Sequence, residues 1–217
     1  MTTAAGSFDR LAGEYDAWFD KPKGKMLFKA EVEAVKVLMK GLKHPFLEIG
    51  VGSGRFAESL GIEQGIDPSG ALIEKARKRG VRAVKGVGEN LPYKDGSFSA
   101  VFMLFTLCFV NDPIRILAEA RRVLKPGGGM IIGMINGQSR WGMLYSKKRS
   151  EGHPLYDHAR FYTPNEIVDL TEKSGMSVEA FSSTLFRSPS DDPQQDLVLN
   201  GLHGEAGFIC ILSRKKN

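Results

Sequence analysis

The 217-residue sequence has only two cysteines, Cys108 and Cys210. Neither has a partner at metal-ligand spacing, so a disulfide framework and a cysteine-based zinc site are both excluded, and the two read as buried thiols. No apolar run approaches the ~20 residues that a membrane span needs. The opening stretch "MTTAAGSFDRLAGEYD" has neither the basic start nor the apolar core of a secretory signal, which leads us to expect a cytoplasmic protein. Internal repeats and low-complexity segments are missing. The net charge of +5 is not concentrated either. It is spread over "KPKGK" (21–25), "KKR" (147–149) and "RKK" (214–216), and no aromatic residues alternate with these as they would on a base-stacking platform. Nucleic acid is therefore not an expected partner. What remains is an ordinary globular composition, 42% hydrophobic and 25% charged, at a length that suits one domain carrying a lid.

Strand and helix signals alternate along the first two thirds. Residues 26–40 carry Leu27, Val32, Val35, Leu38 and Met39 at helical spacing, and Gly41 supplies a stop. "FLEIG" (46–50) reads as a short strand, "RFAESL" as a helix start, "QGIDPSG" (64–70) as a strand with its turn, and "ALIEKARKRG" as a helix closed by Gly80. "VRAVKG" is a third strand, and a weak helix signal follows "LPYKDG". "SAVFMLFTL" (99–107) is apolar almost throughout, as a central strand covered on both faces must be. "PIRILAEARRVL" is an amphipathic helix ended by Pro126 and three glycines, and "MIIGMI" (130–135) is the next strand. Such alternation predicts an α/β fold with a mostly parallel sheet between helices. Residues 141–162 show poor periodicity and read as a loop or insertion. Thr163, Pro164 and Glu166 then form a capping box with Pro at N1. Two strands, 177–183 and 207–213, end the chain. They are joined by a Pro/Ser/Asp-rich connection (187–195) and imply an appended antiparallel hairpin.

The chemistry is concentrated in "FLEIGVGSGRF" (46–56), where Gly50, Gly52 and Gly54 follow the strand that carries Glu48. A phosphate-binding Walker loop would require Lys and Ser or Thr after Gly54, but Arg55 and Phe56 stand there. A dinucleotide fingerprint would require G-x-G-x-x-G, and the sixth position is Arg55. Glu48 would also repel a pyrophosphate. A cofactor with a cationic end, S-adenosylmethionine, turns that carboxylate into an attraction, while the glycines still let the backbone lie close to the ligand. Asp67 lies 17 residues after Gly50, at the end of the second strand and before Pro68. An acid there can accept hydrogen bonds from both ribose hydroxyls; the alternative is a turn residue, since Asp-Pro starts turns.

Taken in order, these segments resemble a class I S-adenosylmethionine-dependent methyltransferase of the small-molecule type. "FLEIGVGSGRFA", "GIDPSGALIEKARKRG", "VKGVGENLPYKDGSFSAVF", "NDPIRILAEARRVLKPGGGMIIG" and "RFYTPNEIVDLTEKSGM" match successive motifs of that family over most of the chain. The resemblance implies a Rossmann-like seven-stranded sheet in the order 3-2-1-4-5-7-6, with strand 7 antiparallel, helices on both faces and an N-terminal helical lid. It implies one domain in three parts: lid (1–40), cofactor-binding half (41–136), and substrate insertion with C-terminal hairpin (137–217). It further implies S-adenosylmethionine as cofactor, with Glu48 toward the methionine amino end, Gly50, Gly52 and Gly54 at the turn, Asp67 and Pro68 at the ribose, Gly88 and Glu89 by the adenine, and Leu104 and Phe105 beside the methionine. Val87 stands where relatives often carry Asp, and Ser99 where an Asp is usual after Phe98.

The acceptor side is open. Tyr15, in "FDRLAGEYDAWFDKPKGK" (8–25), resembles a lid residue that closes over cofactor and substrate; the other reading is simple packing. His153, Asp157, His158, Arg160 and Tyr162 are candidates around the substrate. His158 and Tyr15 are the candidates for proton transfer, and Arg160 for an acidic group. The same stretch also reads as the lead-in to the capped helix. Transfer to RNA or protein, and a non-catalytic binding role, stay open beside the small-molecule reading. Oligomeric state is not legible.

Overall fold

The computed structural model describes residues 4–192, 194 and 196–216. The chain starts with helices α1 (Ala4–Trp18) and α2 (Pro22–Met39), the second opened by Pro22, whose missing N–H costs nothing in the first turn. The alternation follows: β1 (Phe46–Ile49), α3 (Arg55–Leu60), β2 (Gln64–Asp67), α4 (Gly70–Lys78), β3 (Arg82–Lys85), β4 (Phe98–Leu104), α5 (Pro113–Val123) and β5 (Leu124–Ile135). The last part comprises α6 (Arg140–Ser150), α7 (Pro164–Lys173), β6 (Met176–Thr184), β7 (Leu199–Asn200) and β8 (Phe208–Lys215). The capping box forms as the sequence predicts, with the Glu166 N–H donating to Thr163 and the Thr163 N–H donating to the Glu166 carboxylate.

One sheet runs in the order β3-β2-β1-β4-β5-β8-β6-β7. It has eight strands where seven are expected. The extra one, β7, is a two-residue edge strand paired with Ser182 and Ser183, too short to leave a sequence signal. With β7 set aside the order is the expected one, β8 being the seventh strand and antiparallel to both β5 and β6. The sheet is buried on both sides. From β4, Ala100, Phe102 and Leu104 join the cluster under α2 and α3, while Val101 and Met103 join the one under α5 and α7. Each large side chain buried this way contributes about 1.5–3 kcal/mol.

Two expectations are corrected. Residues 140–150 form helix α6, N-capped by Ser139, whose hydroxyl accepts from the Gly142 N–H. Its periodicity is poor because Trp141 and Gly142 are buried while the basic residues 147–149 fill its last turn. No helix follows "LPYKDG" among the described residues. The turn is instead held by α5: Arg122 donates to the Leu91 and Tyr93 carbonyls, and Glu119 accepts the Leu91 N–H. These bonds satisfy backbone groups that a helix would otherwise pair. The expected connection at 187–195 includes Pro193 and Gln195, which lie outside the described residues. No helix among the described residues is long and apolar enough to cross a membrane.

β2 lies on one side of β1 and β4 on the other, so the chain reverses its direction across the sheet between β1 and β4. In such sheets a crevice opens beyond the carboxyl ends of the strands at that point. The functional candidates converge there.

Candidate functional site

A cavity of about 860 Å³ occupies this position, in the upper part of the range for small-molecule sites (about 300–1,000 Å³). It has two ends of different construction.

The first end is made by the strand termini. Gly50 and Val51 donate to the Ile66 carbonyl, folding the glycine turn back onto β2. Gly50 has φ 75°, and a Cβ there would lie 2.3 Å from Thr106 Oγ1, so only glycine fits. Gly52 (φ 52°) faces open space, with the Tyr15 ring edge and hydroxyl 4.0 Å from where a Cβ would sit. Gly54 is occupied with packing, since a Cβ there would meet Ala76 Cα of α4 at 2.8 Å. The Asp67 carboxylate accepts from the Gly52 N–H (2.9 Å) and the Ser69 N–H (2.8 Å), which hold it at the cavity wall.

Glu48 and Asp67 are 1% and 8% exposed. Burial, and then repulsion by Asp67, raise Glu48 well above the usual carboxylate range, and one of its oxygens has no hydrogen-bond partner. Burial likewise raises Asp67, against the two N–H bonds that favour its charge. Two crowded buried carboxylates call for a cation. The arginines at the turn do not supply it. Arg55 donates to Asp16 (2.7 Å) and to Asp20 (2.8 and 3.0 Å), and Arg79 donates to Asp16 (3.0 Å) and the Ser53 carbonyl. Burial opposes ionisation of Asp16, but the bonds from Arg55 and Arg79 outweigh it and hold its carboxyl far below the usual range. The arginines thus latch α1 over the turn. Asp9 adds a second tie from α1, accepting from the Ser69 hydroxyl and the Ala71 N–H at the start of α4.

Ligand-side loops complete this end. Gly88 leaves no room for a side chain, its Cβ position being 2.3 Å from Ile116 Cδ1, and the Glu89 carbonyl accepts from Arg115. Phe105 adopts φ 58°, an unfavourable conformation for an aromatic residue, at the mouth of β4. Its N–H donates to the Gly133 carbonyl and its ring lies 4.9 Å from Phe208. Pro68, Val87 and Leu104 line the same wall.

The second end is aromatic. Tyr15 and Trp18 reach it from α1, Glu31 from α2, Trp141 and Tyr145 from α6, and Tyr156 and Phe161 from the following loop. The Tyr145 and Tyr156 rings meet edge-on at 5.0 Å. His153 lies against Tyr156 at 4.8 Å; burial, and then Lys148, lower its pKa.

The expected site residues therefore divide. Gly50, Gly52, Asp67, Pro68, Gly88, Glu89, Leu104, Phe105, Tyr15, His153 and Arg160 line the cavity. Glu48 and Gly54 lie behind the turn, and His158 is exposed and off the cavity wall. Arg160 is paired with Glu166 and lies over the Tyr162 ring, the lead-in arrangement to α7. Sequence reasoning missed Glu31, Trp141, Tyr145 and Tyr156. Glu31 did leave a signal: it sits four residues after Leu27 and four before Val35, a carboxylate on the apolar stripe of its helix. Among the described residues no group of three or more His, Cys, Asp or Glu is placed to hold a metal.

These features fit S-adenosylmethionine, whose sulfonium and amino groups answer the buried carboxylates and whose ribose matches Asp67. A methyltransferase-domain profile matches residues 47–132. An uncharacterized protein of Mycobacterium tuberculosis is 42% identical over 209 residues, covering 96% of this chain and 73% of that one. A demethylmenaquinone methyltransferase of Thermotoga maritima is 28% identical over 198 residues, covering 79% of this chain and 86% of its own. A crystal structure from Thermotoga maritima superposes with a TM-score of 0.90 at 41% identity, covering 98% of this chain and all of that one; it is described as a SAM-dependent methyltransferase, "possible histamine N-methyltransferase". With these matches and the sheet order agreeing, the chain belongs to the class I S-adenosylmethionine-dependent methyltransferases.

Proposed function

We propose that this protein transfers a methyl group from S-adenosylmethionine to a small-molecule acceptor held in the aromatic end of the cavity. The observation that carries this reading is the Glu48–Asp67 pair, buried and crowded at a glycine turn whose arginines are committed to the lid. Asp67 accepts the ribose hydroxyls. Glu48, from behind the turn, acts on the amino end of the methionine through water. The backbone around Gly88 and Glu89 reads the adenine, Leu104 and Phe105 flank the methionine, and Tyr15 closes over Gly52. The chain works as one domain in three parts: lid (1–40), cofactor half (41–136), and insertion with hairpin (137–217).

The bound cofactor supplies the electrophilic methyl; the residues of this chain align the acceptor in line with it and keep water out. His153 and Arg160 border the acceptor space, and His158 has no role in it. The small-molecule dimensions and aromatic lining of the cavity, and the small molecules in the names of the two Thermotoga maritima proteins, favour a small acceptor over RNA or protein. Calorimetry tests the reading: S-adenosylmethionine and S-adenosylhomocysteine bind and NAD does not. A folded protein that gives no heat with either sulfur cofactor overturns it.

A further inference from the structure

Glu31 is the most unusual group in the molecule outside the glycine turn. It is 5% exposed and lines the cavity, and among the described residues it has no hydrogen bond or ion pair. A lone buried carboxylate is expensive, so it is retained where a ligand completes it. The groups that face it are Tyr15 from α1, Tyr145 from α6, Tyr156 from the loop after α6 and Cys210 from β8. Burial pushes all three phenols and the thiol upward, so each is neutral across the physiological range and none supplies a countercharge. Lys23 and Lys148 of the cavity wall lie over ring faces rather than on Glu31, so a countercharge for Glu31 itself is left to the ligand.

The surrounding rings suit one. Trp141 lies nearly parallel to Tyr145 at 6.3 Å, Phe161 nearly parallel to it at 5.9 Å, and Tyr156 edge-on at 5.0 Å. Aromatic faces attract ammonium groups, more strongly when water is excluded. These rings already hold two cations, the Lys148 ammonium at 5.3 Å from Tyr145 and 5.9 Å from Tyr156, and the Lys23 ammonium at 5.8 Å from Trp141. An anionic acceptor would meet Glu31 with like charge, and a neutral hydroxyl would gain a single hydrogen bond. A cation gains both the carboxylate and the rings.

Resting on the methyltransferase reading above, we infer that the acceptor is a compact amine, seated with its ammonium group against Glu31 inside this aromatic box. Seating the ammonium first expels to solvent the proton that buried Glu31 holds, and the resulting carboxylate then takes a proton from the ammonium nitrogen. The freed lone pair forms the new N–C bond while the electron pair of the breaking C–S bond stays on sulfur, and the methylated nitrogen carries the positive charge that sulfur has lost.

Burial pushes Glu31 up to about 8, so at pH 7 the acid holds its proton and a permanent cation must expel it. Choline and its neutral isostere 3,3-dimethylbutan-1-ol separate the charge from the shape. With S-adenosylhomocysteine bound, choline binds the wild-type protein at least about tenfold more tightly than the alcohol and releases a proton at pH 7, read from calorimetry in buffers of different ionisation enthalpy. Glu31→Gln, a shape-matched neutral group, loses both the preference and the proton release, while its unchanged S-adenosylhomocysteine affinity reports an intact fold. Equal binding of the two probes to wild type, or a preference that survives in Glu31→Gln, overturns the inference and leaves the methyltransferase reading standing. Failure of wild type to bind S-adenosylhomocysteine overturns the reading on which it rests.

Discussion

Each end of the cavity has a carboxylate whose pKa burial raises, Glu48 behind the glycine turn and Glu31 in the wall of the aromatic box, but the two ends are built in opposite ways. The turn end is a local construction. Glu48, Gly50 and Gly52 come from one stretch of sequence, and Asp67 is fixed by N–H groups of that stretch and of its own turn. Its geometry is set by backbone, which few substitutions leave intact. The aromatic end draws on α1, α2, α6 and the loop after it. Its geometry is set by side chains, each replaceable alone. On the proposed assignment, the cofactor falls to the part least free to vary and the acceptor to the part most free to vary.

Four outcomes would sharpen or break this contrast. The largest effect belongs to the backbone of the turn. Gly50→Ala forces a Cβ against Thr106 at positive φ and is expected to cost roughly 3 kcal/mol or more of stability, with cofactor binding lost, whereas Gly52→Ala meets open space and costs about 1 kcal/mol. Chemical denaturation ranks them, and equal costs would deny that backbone geometry governs this end. Next comes the latch. Arg55→Ala leaves the buried Asp16 to Arg79 and Lys75 and takes Asp20's arginine away, and is expected to cost about 2 kcal/mol, about 4–8 °C in Tm, measured calorimetrically. A Tm unmoved by the change would mean that α1 is held otherwise.

The third effect is chemical rather than structural. Asp67→Ala should weaken S-adenosylhomocysteine binding about tenfold or more, from the loss of hydrogen bonds to a charged group, while Tyr145→Phe leaves it within about twofold. Similar losses in the two variants would erase the division of the cavity into cofactor and acceptor ends.

The smallest effect is a pair of opposite pH slopes. Folded Glu31 keeps its proton up to about pH 8, against an ordinary value of 4.5. The native chain therefore binds more protons than the unfolded one between those values, and stability falls as pH rises through the window. Asp16 is depressed below its ordinary 3.8, so its contribution is present above that pH and is lost as pH falls below it. Denaturation midpoints across pH should show the first slope flattened by Glu31→Gln and the second by Asp16→Asn; a slope retained in its variant belongs to another group.

The turn end was legible because its signals are short-range. Strand, glycines and acid follow one another within the 22 residues from Phe46 to Asp67, and each departure from the phosphate-binding patterns could be read where it stood. Arg55 shows the limit of such reading. In the sequence it only removed two phosphate-binding patterns, and in the fold it is half of the lid's anchor, because Asp16 lies 39 positions away and only packing joins them. His158 shows the opposite failure. A polar-rich segment suggested a base, yet its backbone turns place His153 and Tyr156 toward the cavity and leave His158 in solvent.

The sequence by itself determined the parallel α/β sheet, the capping box of α7, the glycine turn and the acid that closes β2, since periodicity and local backbone preference act over a few residues. Only the tertiary structure decided that Glu31 faces a cavity rather than solvent, that α6 brings Trp141 and Tyr145 over it, and that the lid is latched by arginine. Those are contacts between segments far apart in the chain, and burial, which gives a carboxylate its meaning, exists only once the segments have packed.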